Sequence, residues 1–107
     1  MRMEDAPLIL ILSTVPRGSG KAIAEQLVAE ELVACVNIAP VASCFRWKLA
    51  LTHEEEELLI MKSIQSRSMA VQRRIQELHP YELPEILVLN VDGGFAPYLA
   101  WVRESLQ

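Results

Sequence analysis

The stretch ELHPYELPEILVLNV, residues 77–91, contains the signals for the end of a helix and the start of a strand within a few residues. Pro80 disfavours helical geometry at the residue before it, His79, so the preceding helical pattern should end near Leu78. The apolar run EILVLNV, residues 85–91, then has the composition of a buried strand. This transition predicts a helix-to-strand connection near the middle of the second half of the chain.

The chain begins with a predicted strand and helix. PLILILSTV, residues 7–15, is a nearly continuous apolar run, which predicts a strand buried on both faces. After the break at PRGSG, the segment KAIAEQLVAEEL, residues 21–32, has helical periodicity. Its predicted apolar stripe consists of Ala24, Leu27, Val28 and Leu32.

Two extended segments follow, ACVNIAPVASCFRW at 34–47 and KLALTHEEEELLIMKSI at 48–64. They predict an antiparallel hairpin, although the turn lacks the usual Asn-Gly or Gly signal. Pro40 cannot donate a hydrogen bond to a β-ladder, so it predicts a bulge or an unpaired edge.

SRSMAVQRRIQEL, residues 66–78, predicts a second helix with Ser66 or Ser68 as its N-cap. The apolar positions of this helix are Val71, Ile75 and Leu78.

A last helix, PYLAWVRESL, should follow a turn at Gly93 and Gly94, because Pro97 suits a first helical turn. The complete order is β-α-β-β-α-β with an extra C-terminal helix. It predicts a single domain over residues 1–107, of the α/β (α+β) class, with a ferredoxin-like sandwich.

Composition restricts the range of functions. The net charge of −4 argues against nucleic-acid binding, which requires a basic surface. No apolar run approaches the roughly 20 residues of a membrane span, and no secretory signal is evident, so we expect a cytoplasmic protein. Cys35 and Cys44 lie on opposite faces of one extended segment and are too far apart for a disulfide, which fits a reducing compartment.

The apolar content predicts self-association. Hydrophobic residues make up 51% of the chain, whereas a domain of this size buries only about two-thirds of its unfolded surface. The surplus apolar side chains need a partner, and a second copy of the same chain is the ordinary solution.

STVPRGSGKA, residues 13–22, resembles a phosphate-binding loop only in outline. Such a loop requires GxxxxGK[ST], whereas here the glycines are two residues apart and Ala22 replaces the hydroxyl that binds magnesium. The segment therefore predicts a turn with Ser19 near a helix N-terminus, where an anion is still physically allowed.

HEEEE, residues 53–57, predicts a hydrated strand end. Period-two alternation places His53, Glu55 and Glu57 on one face and the other two glutamates on the opposite face. Consecutive carboxylates are usually solvated, although a divalent cation would relieve their mutual repulsion.

A metal site is the main ligand hypothesis for the opening stretch. His79, Glu82 and Glu85 combine imidazole with carboxylate, a ligand set that suits copper and other divalent cations. One histidine and one or two glutamates form a partial site, because a tight mononuclear site needs three or four ligands. Helix termination by Pro80 explains the same residues without any metal.

Several segments together resemble the CutA divalent-cation-tolerance proteins over nearly the whole chain, from about Leu8 to Leu106. The segments that carry the resemblance are ACVNIAP (34–40), SCFRW (43–47), EEEELLIMKS (54–63), LHPYELPEILVLNV (78–91) and YLAW (98–101). The resemblance implies a ferredoxin-like subunit in a PII-like homotrimer, a cytoplasmic location, and binding of copper or other divalent cations. It brings no catalytic reaction, and no obligatory cofactor.

The metal ligands implied by the resemblance are only partly present. The matching positions here are Ser13, Leu78 and Glu85, of which only Glu85 can bind a metal, with His79 adjacent as a substitute. The glycine that usually follows the tryptophan is also missing, so the turn falls on Lys48 or Leu49.

We therefore expect a non-enzymatic trimer for divalent-cation tolerance, with Glu85 and His79 as metal ligands for Cu(II) or another divalent cation. One alternative is a PII-like module that binds a small metabolite or anion in inter-subunit clefts lined by Tyr81 and Trp47. A ligand-free trimeric scaffold is the other alternative.

Overall fold

The computed structural model describes residues 2–107, which form four strands and three α-helices in the predicted order. The strands are β1 (Leu8–Pro16), β2 (Cys35–Trp47), β3 (Ala50–Ile64) and β4 (Leu87–Asn90); the helices are α1 (Gly20–Ala29), α2 (Ser68–Leu78) and α3 (Ala96–Glu104). Short 3-10 turns precede β1 and α2. Neighbouring strands are antiparallel in the order β2-β3-β1-β4. This topology confirms the ferredoxin-like βαββαβ fold with an extra C-terminal helix.

Alternation along β1 divides the apolar side chains between two clusters, one on each face of the sheet. Ile9 and Ile11 join Leu27 of α1 and Ile75 of α2 in the main core. Leu8 points to the opposite face and packs in a smaller cluster with residues of α3. On that second face the central positions of β1 are only half-buried, so the prediction of a strand buried on both faces holds only at its start.

Helix α1 ends three residues earlier than predicted, at Ala29. Glu31 has a φ of 57°, the N–H of Leu32 bonds to the carbonyl of Leu27, and the N–H of Glu31 bonds to the carbonyl of Val28. These bonds form a Schellman motif with glutamate in the position usually occupied by glycine, so no stop signal is recognisable in the sequence. The predicted stripe is correspondingly wrong at Val28, whose side chain is exposed.

The start of helix α2 differs from the prediction, whereas its end agrees with it. Its N-cap residue is Arg67 and no side chain caps it, so the prediction of a Ser66 or Ser68 cap is wrong. The preceding 3-10 turn places both serines in or beside helical geometry, where neither can act as N-cap. The predicted end at Leu78 is confirmed, because His79 is already extended with ψ of 133°.

The two outer strands differ from their predictions. Pro40 lies on edge strand β2 opposite Glu57 in an uninterrupted register, so the unpaired edge is confirmed and the bulge is absent. Every residue of β4 is exposed, so the prediction of a buried strand is wrong within the single chain. The reason is that β4 is the other edge strand, while α3 packs against β1 and β3.

Candidate functional site

The hairpin of β2 and β3 extends beyond the rest of the sheet as a two-stranded ribbon. Its pairing is continuous from Cys35 to Trp47, whereas β1 stops pairing with β3 at Glu56. Lys48 and Leu49 connect the strands with φ values of 49° and 68°, the signature of a type I′ turn. The predicted turn position is therefore confirmed, without the glycine that this geometry favours.

A cavity of about 960 Å³ lies between this ribbon and the loop that follows α2. The ribbon contributes the face that carries Phe45 and Trp47, and the loop contributes residues 81–85. The chemically distinctive side chains around it are four carboxylates and three aromatic rings, namely Glu54, Glu56, Glu82, Glu85, Phe45, Trp47 and Tyr81. Within residues 2–107 no basic side chain lines this cavity, so its electrostatic character favours a cation over an anion.

His79 fixes the loop that forms one side of the cavity. The residue is 7% exposed, and its Nε2 lies 2.7 Å from the carbonyl oxygen of Thr14. The backbone N–H of Tyr81 donates a 3.1 Å hydrogen bond to Nδ1, so the proton is on Nε2, which donates to Thr14. Because β4 pairs with β1 only as far as Leu12, this imidazole satisfies a carbonyl on the edge of β1 that no strand covers.

Tyr81 connects the loop after α2 to strand β3. Its hydroxyl donates a 2.8 Å hydrogen bond to Oε2 of Glu56, which is only 4% exposed. Desolvation, with the hydrogen bond and charge of Glu56 and the charge of Glu54, raises the pKa of Tyr81 to about 12. The prediction that the acidic run is a hydrated strand end is therefore wrong at Glu56, because the loop after α2 folds over this side chain.

The carboxylate of Glu57 lies at the N-terminus of α1, where the sequence analysis allowed a bound anion. Its Oε1 accepts a 2.8 Å hydrogen bond from the backbone N–H of Gly20, at the first turn of α1. A carboxylate at a helix N-terminus is favoured by the unpaired N–H groups there. The carboxylate of Glu57 therefore accepts the hydrogen bond that the N–H of Gly20 could otherwise donate to a bound anion. The predicted turn at PRGSG is confirmed.

The structure brings some of the predicted ligand residues together and separates others. Glu85, Tyr81 and Trp47 line the same cavity. The ring of His79 is outside its lining, and both ring nitrogens are engaged with the protein. Within residues 2–107, no three histidine, cysteine or acidic side chains come close enough to hold a metal ion.

The other two positions implied by the resemblance lie away from the cavity. Ser13 is fully buried on the helix side of β1, where its hydroxyl has no hydrogen-bond partner among the described residues. Leu78 packs against the main core. Sequence reasoning did not identify Glu56 or Thr14 as functional residues. The signal for Glu56 was strand alternation, which places its carboxylate on the opposite face from Glu55 and Glu57.

The ferredoxin-like sheet, the C-terminal helix on its second face and the long protruding hairpin define a PII-like class of subunit. The fold matches that of CutA from Synechococcus elongatus PCC7942 with a TM-score of 0.91 and 38% identity, covering 95% of this chain and 92% of that one. It also matches the PII-like protein CutA from Nostoc sp. PCC 7120 in apo form, with a TM-score of 0.88 and 39% identity over 92% of this chain and 97% of that one.

The sequence comparison identifies the family. Residues 9–105 match the family described as CutA1 divalent ion tolerance protein, and the chain belongs to it. The divalent-cation tolerance protein CutA of Thermus thermophilus is 39% identical over 98 residues, which cover 90% of this chain and 95% of the relative. The chloroplastic protein CutA of Arabidopsis thaliana is 38% identical over 98% of this chain, which spans only 61% of that relative's length.

Across residues 2–107, no helix combines the length with the apolar character that a bilayer span requires.

Proposed function

We propose that this protein acts in divalent-cation tolerance as a homotrimer that binds the cation at the acidic cavity. One observation carries the proposal: four carboxylates and no basic side chain line a single cavity within residues 2–107. Carboxylate oxygens are the ligands that divalent cations accept most generally. The names of the relatives, which describe divalent-cation tolerance, support the same activity.

Glu85 is the first ligand in this proposal, because it lines the cavity and ends the HPYELPE segment. His79 joins it only in a conformation in which one ring nitrogen releases its present partner, Thr14 or Tyr81. In the observed conformation His79 instead positions the loop that carries Glu85. Cu(II), for which imidazole and carboxylate are good ligands, is the ion to test first.

A second subunit completes the site in our proposal. A single chain offers no group of three ligands within residues 2–107, and a tight site needs three or four. The apolar face of the sheet opposite α1 and α2 carries exposed or half-exposed side chains that a neighbouring copy would cover, including Leu87, Leu89, Phe45 and Trp47. The open edges of β2 and β4 also present backbone groups for pairing between subunits.

We propose binding rather than catalysis, and a cytoplasmic location stays a prediction. Cys35 and Cys44 are both free thiols, which suits the reducing compartment predicted from the sequence.

The test is a Cu(II) titration of the purified protein followed by native mass spectrometry, which gives subunit count and metal stoichiometry together. We expect trimers that bind copper, with Glu85→Ala weakening binding by more than about tenfold, as loss of a ligand should exceed the effect of losing an outer-shell partner. Glu104→Ala, an exposed acidic residue on α3, is the matched control. Equal binding by Glu85→Ala and the parent would contradict the proposal.

His79→Ala separates the two roles of the histidine. If His79 only positions the loop, this variant has a lower free energy of unfolding but keeps most of its copper affinity. If the ring rotates and becomes a ligand, the variant loses affinity by the same factor as Glu85→Ala.

A PII-like module that binds a small metabolite is the second candidate. It is favoured by the placement of Trp47 and Tyr81 in one cavity, as expected from the sequence. The carboxylates there oppose an anionic ligand, so a metabolite would have to be neutral or cationic. Quenching of Trp47 fluorescence by such a ligand, lost in Tyr81→Ala, would support this function; a trimer that binds neither metal nor metabolite would support the scaffold.

A further inference from the structure

A cysteine and a histidine face each other near the end of the β2–β3 ribbon; Cys44 also borders the acidic cavity, whereas His53 is not among the residues that line it. Cys44 of β2 is the register partner of His53 of β3. The Sγ atom of Cys44 lies 4.0 Å from Nε2 of His53, and both side chains are exposed. The pair therefore presents one soft and one borderline metal ligand to solvent.

The register of the ribbon holds these side chains close together. Counting from the two-residue turn at Lys48 and Leu49, Cys44 and His53 form a non-hydrogen-bonded pair, in which the Cα atoms are about 4.5 Å apart and side chains approach most closely. Strand alternation directs Cys44 to the face opposite Phe45 and Trp47, so the pair is on the other side of the ribbon from those aromatic rings. Around the pair there is a shallow depression of about 210 Å³.

The two histidines of the chain differ in their availability to a metal. Both ring nitrogens of His79 are bonded within the protein, whereas Nε2 of His53 is directed at a thiol 4.0 Å away. That separation is long for a hydrogen bond.

The Sγ to Nε2 distance matches the span of one bound ion. A metal held by thiolate and imidazole at about 2.3 Å and about 2.0 Å, as for zinc, separates the two ligand atoms by about 4.3 Å when the arrangement is linear. The observed 4.0 Å needs only a small rotation of either side chain to reach it. The pair is therefore close to the geometry of two-coordinate ligation.

Among residues 2–107 the surroundings offer no third protein ligand. Glu55, on the same face of β3, is held by Arg17 at 2.6 Å, and no group of three ligands occurs within residues 2–107. Zinc prefers four ligands, which makes a two-ligand site weak for it. Cu(I) accepts two ligands and is selected by thiolate sulfur.

We propose that Cys44 and His53 form a binding site for one Cu(I) ion per chain. The thiol of Cys44 releases its proton to solvent and bonds through sulfur, while His53 bonds as the neutral imidazole through Nε2. The copper stays Cu(I), so binding requires no electron transfer and releases one proton. This site does not use Glu85 as a ligand and takes a monovalent soft ion in place of a divalent one.

The test uses Cys35→Ser as the parent, so that Cys44 is the only thiol. Cu(I) is supplied with ascorbate under nitrogen, and its affinity is measured by competition with bicinchoninate. We expect one Cu(I) per chain, with Cys44→Ser and His53→Asn each weakening binding by more than about tenfold. Copper X-ray absorption of the parent should show one sulfur and one nitrogen ligand.

Glu85→Ala in the same background is the control that separates the two sites, because it should leave Cu(I) binding unchanged. Native mass spectrometry confirms that each variant keeps the subunit count of the parent. Unchanged affinity in His53→Asn, with loss only in Cys44→Ser, would mean an isolated thiol and would overturn the proposal. Equal affinity in all variants would overturn it as well.

Discussion

Tyr81 Oη donates a 2.8 Å hydrogen bond to Glu56 Oε2, and this contact joins the loop after α2 to β3 at the last residue of its pairing with β1. It explains how a carboxylate in a run of four glutamates becomes almost fully buried. The loop carries Glu85 and the ribbon carries Trp47, so the same contact joins the two sides of the acidic cavity.

We expect Tyr81→Phe to lower the free energy of unfolding by about 1–3 kcal/mol, because it leaves the buried carboxylate of Glu56 without this partner. Urea denaturation measures the change. The double variant Tyr81→Phe/Glu56→Leu should lose less than the sum of the two single variants, since it removes both partners. Additive losses would show that the two residues stabilise the fold independently.

The pKa of Tyr81 predicts a loss of stability at high pH. Burial and Glu56 raise this pKa from 10.0 to about 12, so the folded state holds the phenolic proton more tightly than the unfolded state. The resulting stabilisation is complete below pH 10 and is lost as the pH rises toward 12. An ultraviolet titration of tyrosinate in a Tyr98→Phe background, where Tyr81 is the only tyrosine, measures the midpoint.

Adding Glu56→Gln to that background should move the midpoint only part of the way back toward 10. The reason is that desolvation, the largest cause of the shift, remains when the charge of Glu56 is removed. An unchanged midpoint would show that Glu56 has no influence on the ionisation of Tyr81.

Gly20 is a position where the backbone lies close to neighbouring side chains. A Cβ atom there would lie 2.7 Å from Oε1 of Glu57 and 3.1 Å from Leu59. We expect Gly20→Ala to lower the midpoint of thermal unfolding, with a loss of about 1–3 kcal/mol from overpacking. Gly93→Ala is the matched control, because a Cβ atom there has nothing within 4 Å. Similar midpoints for the two variants would contradict the expectation that a Cβ atom at Gly20 overpacks against Glu57.

The hairpin turn contains strain that one substitution should relieve. Leu49 has a φ of 68° and a side chain that is 91% exposed, so glycine removes the left-handed strain with little loss of contact in the single chain. We expect Leu49→Gly to stabilise the protein by about 1 kcal/mol, the lower end of the cost of such a conformation. The measurement is chemical denaturation, with Leu51→Gly, an exposed strand residue, as a control that should destabilise. A loss of stability in Leu49→Gly would mean that the leucine is covered in the assembly.

The sequence was sufficient for the order of elements because the signals for them are local. Helix α2 ends before Pro80 as expected, and the spacing of apolar residues identifies both the helices and the strands. The end of α1 at Ala29 escaped prediction, because the left-handed glutamate that stops the helix, Glu31, is not a recognisable stop signal.

The candidate site was only partly predictable for a different reason. Glu85, Tyr81 and Trp47 were identified from their segments, and they do meet in one cavity. The burial of Glu56 and the engagement of both nitrogens of His79 depend on contacts with Tyr81 and Thr14 that are distant in sequence. No local pattern encodes such contacts, since they arise only when the loop folds across the end of β1.

The exposed strand β4 offers a direct test of the proposed trimer. Leu89 and Val88 are neighbours with nearly equal exposure, 43% and 41%, but strand alternation directs them to opposite faces of the sheet. Leu89 pairs with Leu10 on the apolar face that a second copy would cover, whereas Val88 pairs with Ile11 on the helix side. We expect Leu89→Lys to reduce the mass in native mass spectrometry from trimer to monomer at micromolar concentration, because an unpaired charge in an apolar interface costs several kcal/mol. Val88→Lys should remain trimeric. Trimers of equal stability in both variants would exclude this face as the subunit interface, and a monomeric parent would contradict the trimer itself.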